Sequence, residues 1–163
     1  ADWTILYTGV GKVNAGINLM AALTEKKPDL LINYGTAGAI KTDLTDIVEV
    51  GQSVQCDMDA SPLGIALGAT PFETGSERFT LSNSPLICGT ADRFVTSAPE
   101  LACDLVDMEL YALAKIAKRE QIPLKSFKFI SDNADDSSHQ HWKNSLPDAA
   151  SGFLSIQQHL LSL

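Results

Sequence analysis

The spacing of apolar positions changes several times along the chain, and each change predicts an element boundary. Trp3-Thr4-Ile5-Leu6-Tyr7 is a short β-rich run ending at Thr8-Gly9-Val10-Gly11, so it predicts a strand and a turn. From Lys12 to Lys27, Val13, Ile17, Met20, Ala21 and Leu23 fall at helical spacing, and Pro28 stops the helix. Asn14 and Gly16 weaken its propensity, so packing must hold it. Asp29-Leu30-Leu31-Ile32-Asn33-Tyr34 suits a buried parallel strand, and Gly35-Thr36-Ala37-Gly38 predicts the turn after it. Ile47 to Val50 and Ser53 to Met58 predict two arms of a less regular β region. Residues 60–84 hold glycine, proline, serine and threonine with little period, which predicts a long loop serving as a lid or subunit contact. Leu86 to Gly89, Leu101 to Met108 and Leu124 to Ser131 read as strands. Glu109 to Gln121 reads as a helix with Leu110, Leu113, Ile116 and Ala117 on one face, ending before Pro123. Ser151 to Leu163 predicts a last helix with the stripe Phe153, Ile156 and Leu160. Strand, glycine turn, helix and strand in succession place the chain in the α/β class, as one domain over residues 1–163.

Composition narrows the functions. The 163 residues are 45% hydrophobic and 20% charged, the profile of a globular chain with a real core. Twelve basic against 20 acidic residues leave a net charge of −8, which argues against nucleic acid or an anionic membrane as partner. No apolar run reaches the length needed to span a bilayer. Cys56, Cys88 and Cys103 are odd in number and lack metal-type spacing, so reduced thiols in a cytoplasmic protein are expected, with no metal. Trp3 opens a strand at once, and the chain reads as beginning inside a domain.

The candidate chemistry sits at strand ends. Asp132 closes the apolar run of residues 124–131 and opens a polar loop carrying His139 and His141. A carboxyl held where a buried strand emerges is rigid and partly desolvated, which suits proton donation near neutral pH. Val106-Asp107-Met108-Glu109 offers a second acidic run at another strand end. Glu109 also fits an ordinary helix-start glutamate, favoured there by the dipole, and Asp132 an ordinary turn residue. Clustering at strand ends, where α/β proteins bind ligands, favours the functional reading. Thr8-Gly9-Val10-Gly11-Lys12 fails as a phosphate loop, since Val13 replaces the hydroxyl residue, and as a dinucleotide fingerprint, since the next glycine is Gly16. It remains a tight turn or a helix start lining a polar site. Thr36 and Gly38 provide a small-residue stretch that a ligand can approach closely.

Four runs together resemble the 5′-methylthioadenosine/S-adenosylhomocysteine nucleosidases of the nucleoside phosphorylase superfamily. They are residues 8–15, residues 28–38, Val106-Asp107-Met108-Glu109, and residues 130–135 with Ser138-His139, in the family's order across nearly the whole chain. The resemblance implies a three-layer αβα fold with a central mixed sheet, here without the family's first strand. It implies cleavage of the N-glycosidic bond of a purine nucleoside, with no cofactor. By that resemblance Asp132 protonates N7 of the leaving base, Glu109 binds the ribose hydroxyls and Met108 packs beneath the sugar. Phe94 stacks on the purine and Val95 gives it backbone contacts; Thr36, Gly38, Gly11 and His139 complete the substrate site. Asn33 stands where the superfamily's phosphorylases carry an arginine, which implies water rather than phosphate as acceptor. A homodimer is implied as well. The family's N-terminal acidic loop, whose glutamate orients water, has no counterpart, and residues 58–78 match poorly. A phosphorylase and a non-catalytic nucleoside-binding protein therefore stay open as alternatives.

Overall fold

A computed structural model describes residues 3–135 and 138–161 of the chain. Its elements run α1 (Lys12–Glu25), β1 (Leu31–Ala39), β2 (Ile47–Glu49), β3 (Gln52–Gln55), a 3-10 turn (Ser61–Leu63), β4 (Phe79–Thr80), β5 (Ile87–Thr90), β6 (Leu105–Asp107), α2 (Leu110–Glu120), β7 (Leu124–Asp132) and α3 (Ser138–Leu161). The strands form one mixed sheet in the order β2-β7-β1-β6-β5-β3-β4. β1 runs parallel to β7 and antiparallel to β6, so the ends of β7 and β1 lie beside the start of β6.

Alternation along β1 separates the layers. Tyr34 and Thr36 face α3: the Tyr34 ring lies 5.4 Å from Phe153, and its hydroxyl donates to the Ala149 carbonyl at 2.6 Å. Ala37 faces the core shared with Leu105, Leu110, Tyr111 and Leu113 beneath α2. The sheet thus lies between α1 with α2 on one side and α3 on the other, the three-layer mixed-sheet α/β arrangement expected.

Several sequence expectations are corrected. Residues 3–9 form no strand, because no described strand pairs with them; Trp3, Ile5, Leu6 and Tyr7 are exposed. α1 buries Ala15 and Leu19, whereas Val13 and Ile17 are 68% and 63% exposed. The buried stripe is thus rotated from the one the larger apolar residues predicted, because small residues let α1 lie close to α2. Gly35-Thr36-Ala37-Gly38 is not a turn but the second half of β1. Its glycines make room: a Cβ on Gly35 would lie 3.5 Å from Lys128 Nζ, and one on Gly38 would lie 2.7 Å from Asp132 Oδ1. α3 starts thirteen residues before the predicted helix and includes Pro147, so His139 and His141 are helical rather than in a loop. Phe153 and Ile156 of its predicted stripe are half-buried; the side chain of Leu160 and residues 162–163 lie outside the described part. Residues 60–84 contain only the 3-10 turn and β4, as a long loop should.

Candidate active site

Asp132 is the last residue of β7, only 8% exposed. Its Oδ2 accepts the Ser131 hydroxyl at 2.7 Å and its Oδ1 accepts the Ala134 amide at 2.9 Å. The β1–β7 register shifts here: Ala37 pairs with Ile130 but Gly38 with Asp132, leaving Ser131 as an extra residue. Such a bulge re-aims the side chain that follows it. The Asp132 carboxylate consequently lies over Gly38, 2.7 Å from where a Cβ would stand, and Val106 Cγ2 from β6 lies 3.4 Å from the same point. A bare backbone in the middle strand thus lets groups from the two flanking strands meet. Ala134 holds the loop with φ at 48°, a left-handed conformation costing roughly 1–2 kcal/mol for a residue with a Cβ.

Beyond Val106, β6 leads into Met108 and Glu109, both half-buried, with Glu109 at the N-cap of α2. Glu109 Oε1 accepts the Gly11 amide at 2.9 Å. Burial first, and Asp107 second, push the Glu109 carboxyl above the ordinary glutamate range, against the opposing pull of that amide and of Lys128. Gly11 caps α1 with φ at 88°, which suits glycine, and Lys12 N donates to Asp92 Oδ1 at 2.7 Å. The first amides of α1 are therefore satisfied by carboxylates from two other segments, the favourable pole for negative charge. Lys12 also pairs with Asp57, whose Oδ2 accepts the Asp92 amide at 2.7 Å. Burial acts to raise Asp57, but Lys12 and that amide outweigh it and hold the carboxyl below its usual range. Phe94 and Val95 follow in the same β5–β6 loop. Phe94 is half-exposed, while Val95 is buried in a cluster with Val106 and Ala134.

Behind these groups lies a charge pair with side chains 1% and 0% exposed, Lys128 and Asp107, at 2.7 Å. Asp107 also accepts Thr90 Oγ1 at 2.6 Å and the Leu110 amide at 2.8 Å, and Thr90 Oγ1 accepts the Tyr111 amide at 3.0 Å. One carboxylate thereby fixes the start of α2, and with it Glu109, to β5 and β7. Thr36, on the other face, accepts Trp142 Nε1 at 3.0 Å, so its hydroxyl ties β1 to α3. Asn33 accepts Ser126 Oγ at 2.9 Å within the ladder.

The structure therefore brings Asp132, Gly38 and Val106 together at one place, and Glu109 with Gly11 at another three residues further along the chain from Val106. Val95 joins the first through its cluster. His139 is exposed on the first turn of α3 and takes part in none of these contacts. An open depression beside the end of β7 is lined by Asp46, Ser131, Asp132, His141 and Asp148; Glu109 and Phe94 do not line it. Sequence reasoning missed Lys12, Asp57, Asp92, Asp107 and Lys128 as functional supports. The available signal was Lys128, which alternates with Leu124 and Ser126 on the buried side of β7 whereas Lys125 does not, since buried lysines are almost always paired. The Lys12 contacts span 45 and 80 residues, and no local pattern reports them. Among the described residues no group of three or more His, Cys, Asp or Glu could hold a metal, and no helix is long and apolar enough to cross a membrane.

The chain is similar to known proteins in sequence and in fold. The 5′-methylthioadenosine/S-adenosylhomocysteine nucleosidase of Haemophilus ducreyi is 29% identical over 90% of this chain and 74% of its own length. That of a Marinomonas species is 28% identical over 98% of this chain and 80% of its own. Among solved structures, the Helicobacter pylori nucleosidase bound to butyl-thio-DADMe-Immucillin-A superposes with a TM-score of 0.86 at 22% identity, covering 96% of this chain and 78% of that one. Futalosine hydrolase of Helicobacter pylori superposes at 0.87 with 21% identity, covering 96% and 77%. The sequence profile of the Phosphorylase superfamily matches residues 2–88, more than half of the chain. With the mixed sheet and its strand-end carboxylates, that match makes this chain a member of the phosphorylase superfamily.

Proposed function

We propose that this chain hydrolyses the N-glycosidic bond of a purine nucleoside of the methylthioadenosine/S-adenosylhomocysteine type. The observation that carries the reading is the approach of Asp132 to β6 across Gly38, with Glu109 three residues beyond Val106. Two curated relatives bearing the nucleosidase name support it.

The chemistry follows from the charges that develop. As C1′–N9 breaks, its electron pair leaves with the base and the sugar becomes cationic. The Asp132 carboxyl gives its proton to N7, neutralising the base, while water attacks C1′ and carboxylate charge steadies the sugar. General acid catalysis of this kind contributes about 10²–10⁴-fold, or roughly 3–5 kcal/mol of barrier. Glu109 accepts hydrogen bonds from the ribose hydroxyls and Met108 packs beneath the sugar. Phe94 stacks on the purine, Val95 presents backbone to it, and Thr36, Gly38 and Gly11 line the close approach. His139 takes a peripheral place at the substrate's edge. Water is the acceptor because Asn33, engaged by Ser126, offers phosphate no positive charge. The chain acts as one domain over residues 1–163, in the cytoplasm and as a homodimer. The superposition on futalosine hydrolase favours one second reading, a different purine nucleoside at the same site.

The test is adenine release from methylthioadenosine, with and without inorganic phosphate, with futalosine as comparison. Free sugar formed at equal rates in both conditions is expected. Sugar 1-phosphate formed only with phosphate would replace hydrolysis by phosphorolysis, and base release from futalosine alone would replace the substrate.

A further inference from the structure

A second chemically active place lies beside the proposed site. Cys56 follows β3, and Cys103 stands two residues before β6. A Cβ on Gly89, in the strand between them, would lie 2.3 Å from Cys56 Sγ and 2.8 Å from Cys103 Sγ. The two sulfurs therefore share the space that a side chain at residue 89 would fill. The pair belongs to the cluster containing Val95, Val106 and Ala134. Cys88, fully buried, belongs to the opposite cluster under α2. Cys103 is partly exposed, which gives a small oxidant access.

We propose that Cys56 and Cys103 form a reversible disulfide on exposure to a peroxide, and that this bond tightens the β5–β6 loop carrying Asp92, Phe94 and Val95. The Cys56 thiolate attacks a peroxide oxygen, the O–O bond breaks, and a sulfenic acid and hydroxide result. The Cys103 sulfur then displaces the sulfenic hydroxyl as water, having given up its own proton. In sum, two thiols and hydrogen peroxide give one disulfide and two waters, and the peroxide is reduced. The neighbouring Cys103 thiol holds the Cys56 thiol below its ordinary range despite burial, which favours Cys56 as the attacking sulfur. Closing an S–S bond of ~2.05 Å fixes the two sulfurs beside Gly89 at bonding distance. The segment before β6 must follow, and with it the loop packed through Val95.

The experiment uses the intact chain with one equivalent of hydrogen peroxide, read by mass spectrometry and hydrogen exchange. A loss of about 2 Da, a peptide joining Cys56 to Cys103, and recovery with dithiothreitol are expected. Cys56→Ser and Cys103→Ser should each abolish the crosslink, and Cys88→Ala should keep it. Amides of residues 92–104 should exchange about tenfold or more slowly in the oxidised form. A single-cysteine gain of ~32 Da, or three thiols remaining free, would overturn the site. A crosslink leaving exchange over residues 92–104 unchanged would overturn its coupling to the loop. None of these readouts depends on the nucleosidase reading.

Discussion

Replacing Lys128 by Met removes the cation from the buried pair while keeping most of the side chain's volume. Asp107 would retain the Thr90 hydroxyl and the Leu110 amide but lose its neutralising charge. Breaking a buried pair by removing one partner typically costs about 3–5 kcal/mol, because the surviving charge stays desolvated. For a chain of this size each kcal/mol shifts the melting temperature by about 2–4 °C, so a fall of roughly 6–20 °C is expected. The pH dependence gives a sharper signature. In the wild type, burial acts to raise Asp107, but Lys128 and the hydrogen bonds outweigh it and hold the carboxyl below its usual range. Its contribution is present above the unfolded carboxylate pKa, ~3.9, and is lost as pH falls through the lower folded value. Burial acts to lower Lys128, but Asp107 outweighs it, so the Lys128 contribution is present below ~10.4 and lost as pH rises through its raised value. Between these limits wild-type stability should be insensitive to this pair. In Lys128→Met, burial acts on Asp107 against only the Thr90 and Leu110 hydrogen bonds and raises its pKa, so the folded state binds the extra proton and the deficit shrinks as pH falls toward the unfolded value of ~3.9. Urea unfolding of wild type, Lys128→Met, Asp107→Asn and the double variant measures all of this. The double variant should be more stable than Lys128→Met alone, with a coupling of roughly 1–3 kcal/mol. A Lys128→Met loss below about 1 kcal/mol, or strictly additive losses in the double variant, would refute the reasoning.

Other substitutions test the site itself. Gly38→Ala places a Cβ 2.7 Å from Asp132 Oδ1 and 3.2 Å from Ala134 Cβ. We expect kcat to fall about 10²-fold or more, with only ~1–3 kcal/mol of stability lost, by parallel kinetics and thermal unfolding. Glu109→Gln keeps an acceptor for the Gly11 amide but removes the charge offered to the ribose hydroxyls. KM should rise about 10- to 100-fold. Wild-type substrate binding should weaken as pH falls through the raised Glu109 pKa, above the ordinary ~4.3, and a pH–KM profile of Glu109→Gln should lack that limb.

How much the sequence disclosed depended on whether the signal was local. α2 was legible end to end because its apolar face, its glutamate N-cap and Pro123 all lie within fifteen residues. β7 was legible from its strand-like stretch between Pro123 and Asp132, and Asp132 from its place at the end. The sequence misplaced what is decided by partners remote in the chain. Glycine at residues 35 and 38 suggests a turn locally, yet it accommodates Lys128 and Asp132 from the neighbouring strand. Residues 3–7 have strand composition but no described strand to pair with. Val13 and Ile17 have the right spacing for a buried face, and the packing of α1 on α2 selected Ala15 and Leu19 instead. The start of α3 was missed because Pro147 reads as a breaker and is tolerated within the helix. The capping of α1 by Asp92 was likewise invisible, since its partners stand 80 residues apart.

The central claim is that the Asp132 carboxyl supplies the proton to the departing base. Asp132→Asn keeps the side chain's size and one oxygen to accept the Ala134 amide, while its amide nitrogen can donate to the Ser131 hydroxyl, but it cannot act as the acid. Single-turnover adenine release from methylthioadenosine, alongside the affinity of the same variant for a non-hydrolysable adenosine analogue, is the direct measurement. A loss of about 10²–10⁴-fold in the chemical step with binding within a few-fold of wild type is predicted. Unimpaired release by the variant, or a fall in binding as large as the fall in rate, would contradict the account.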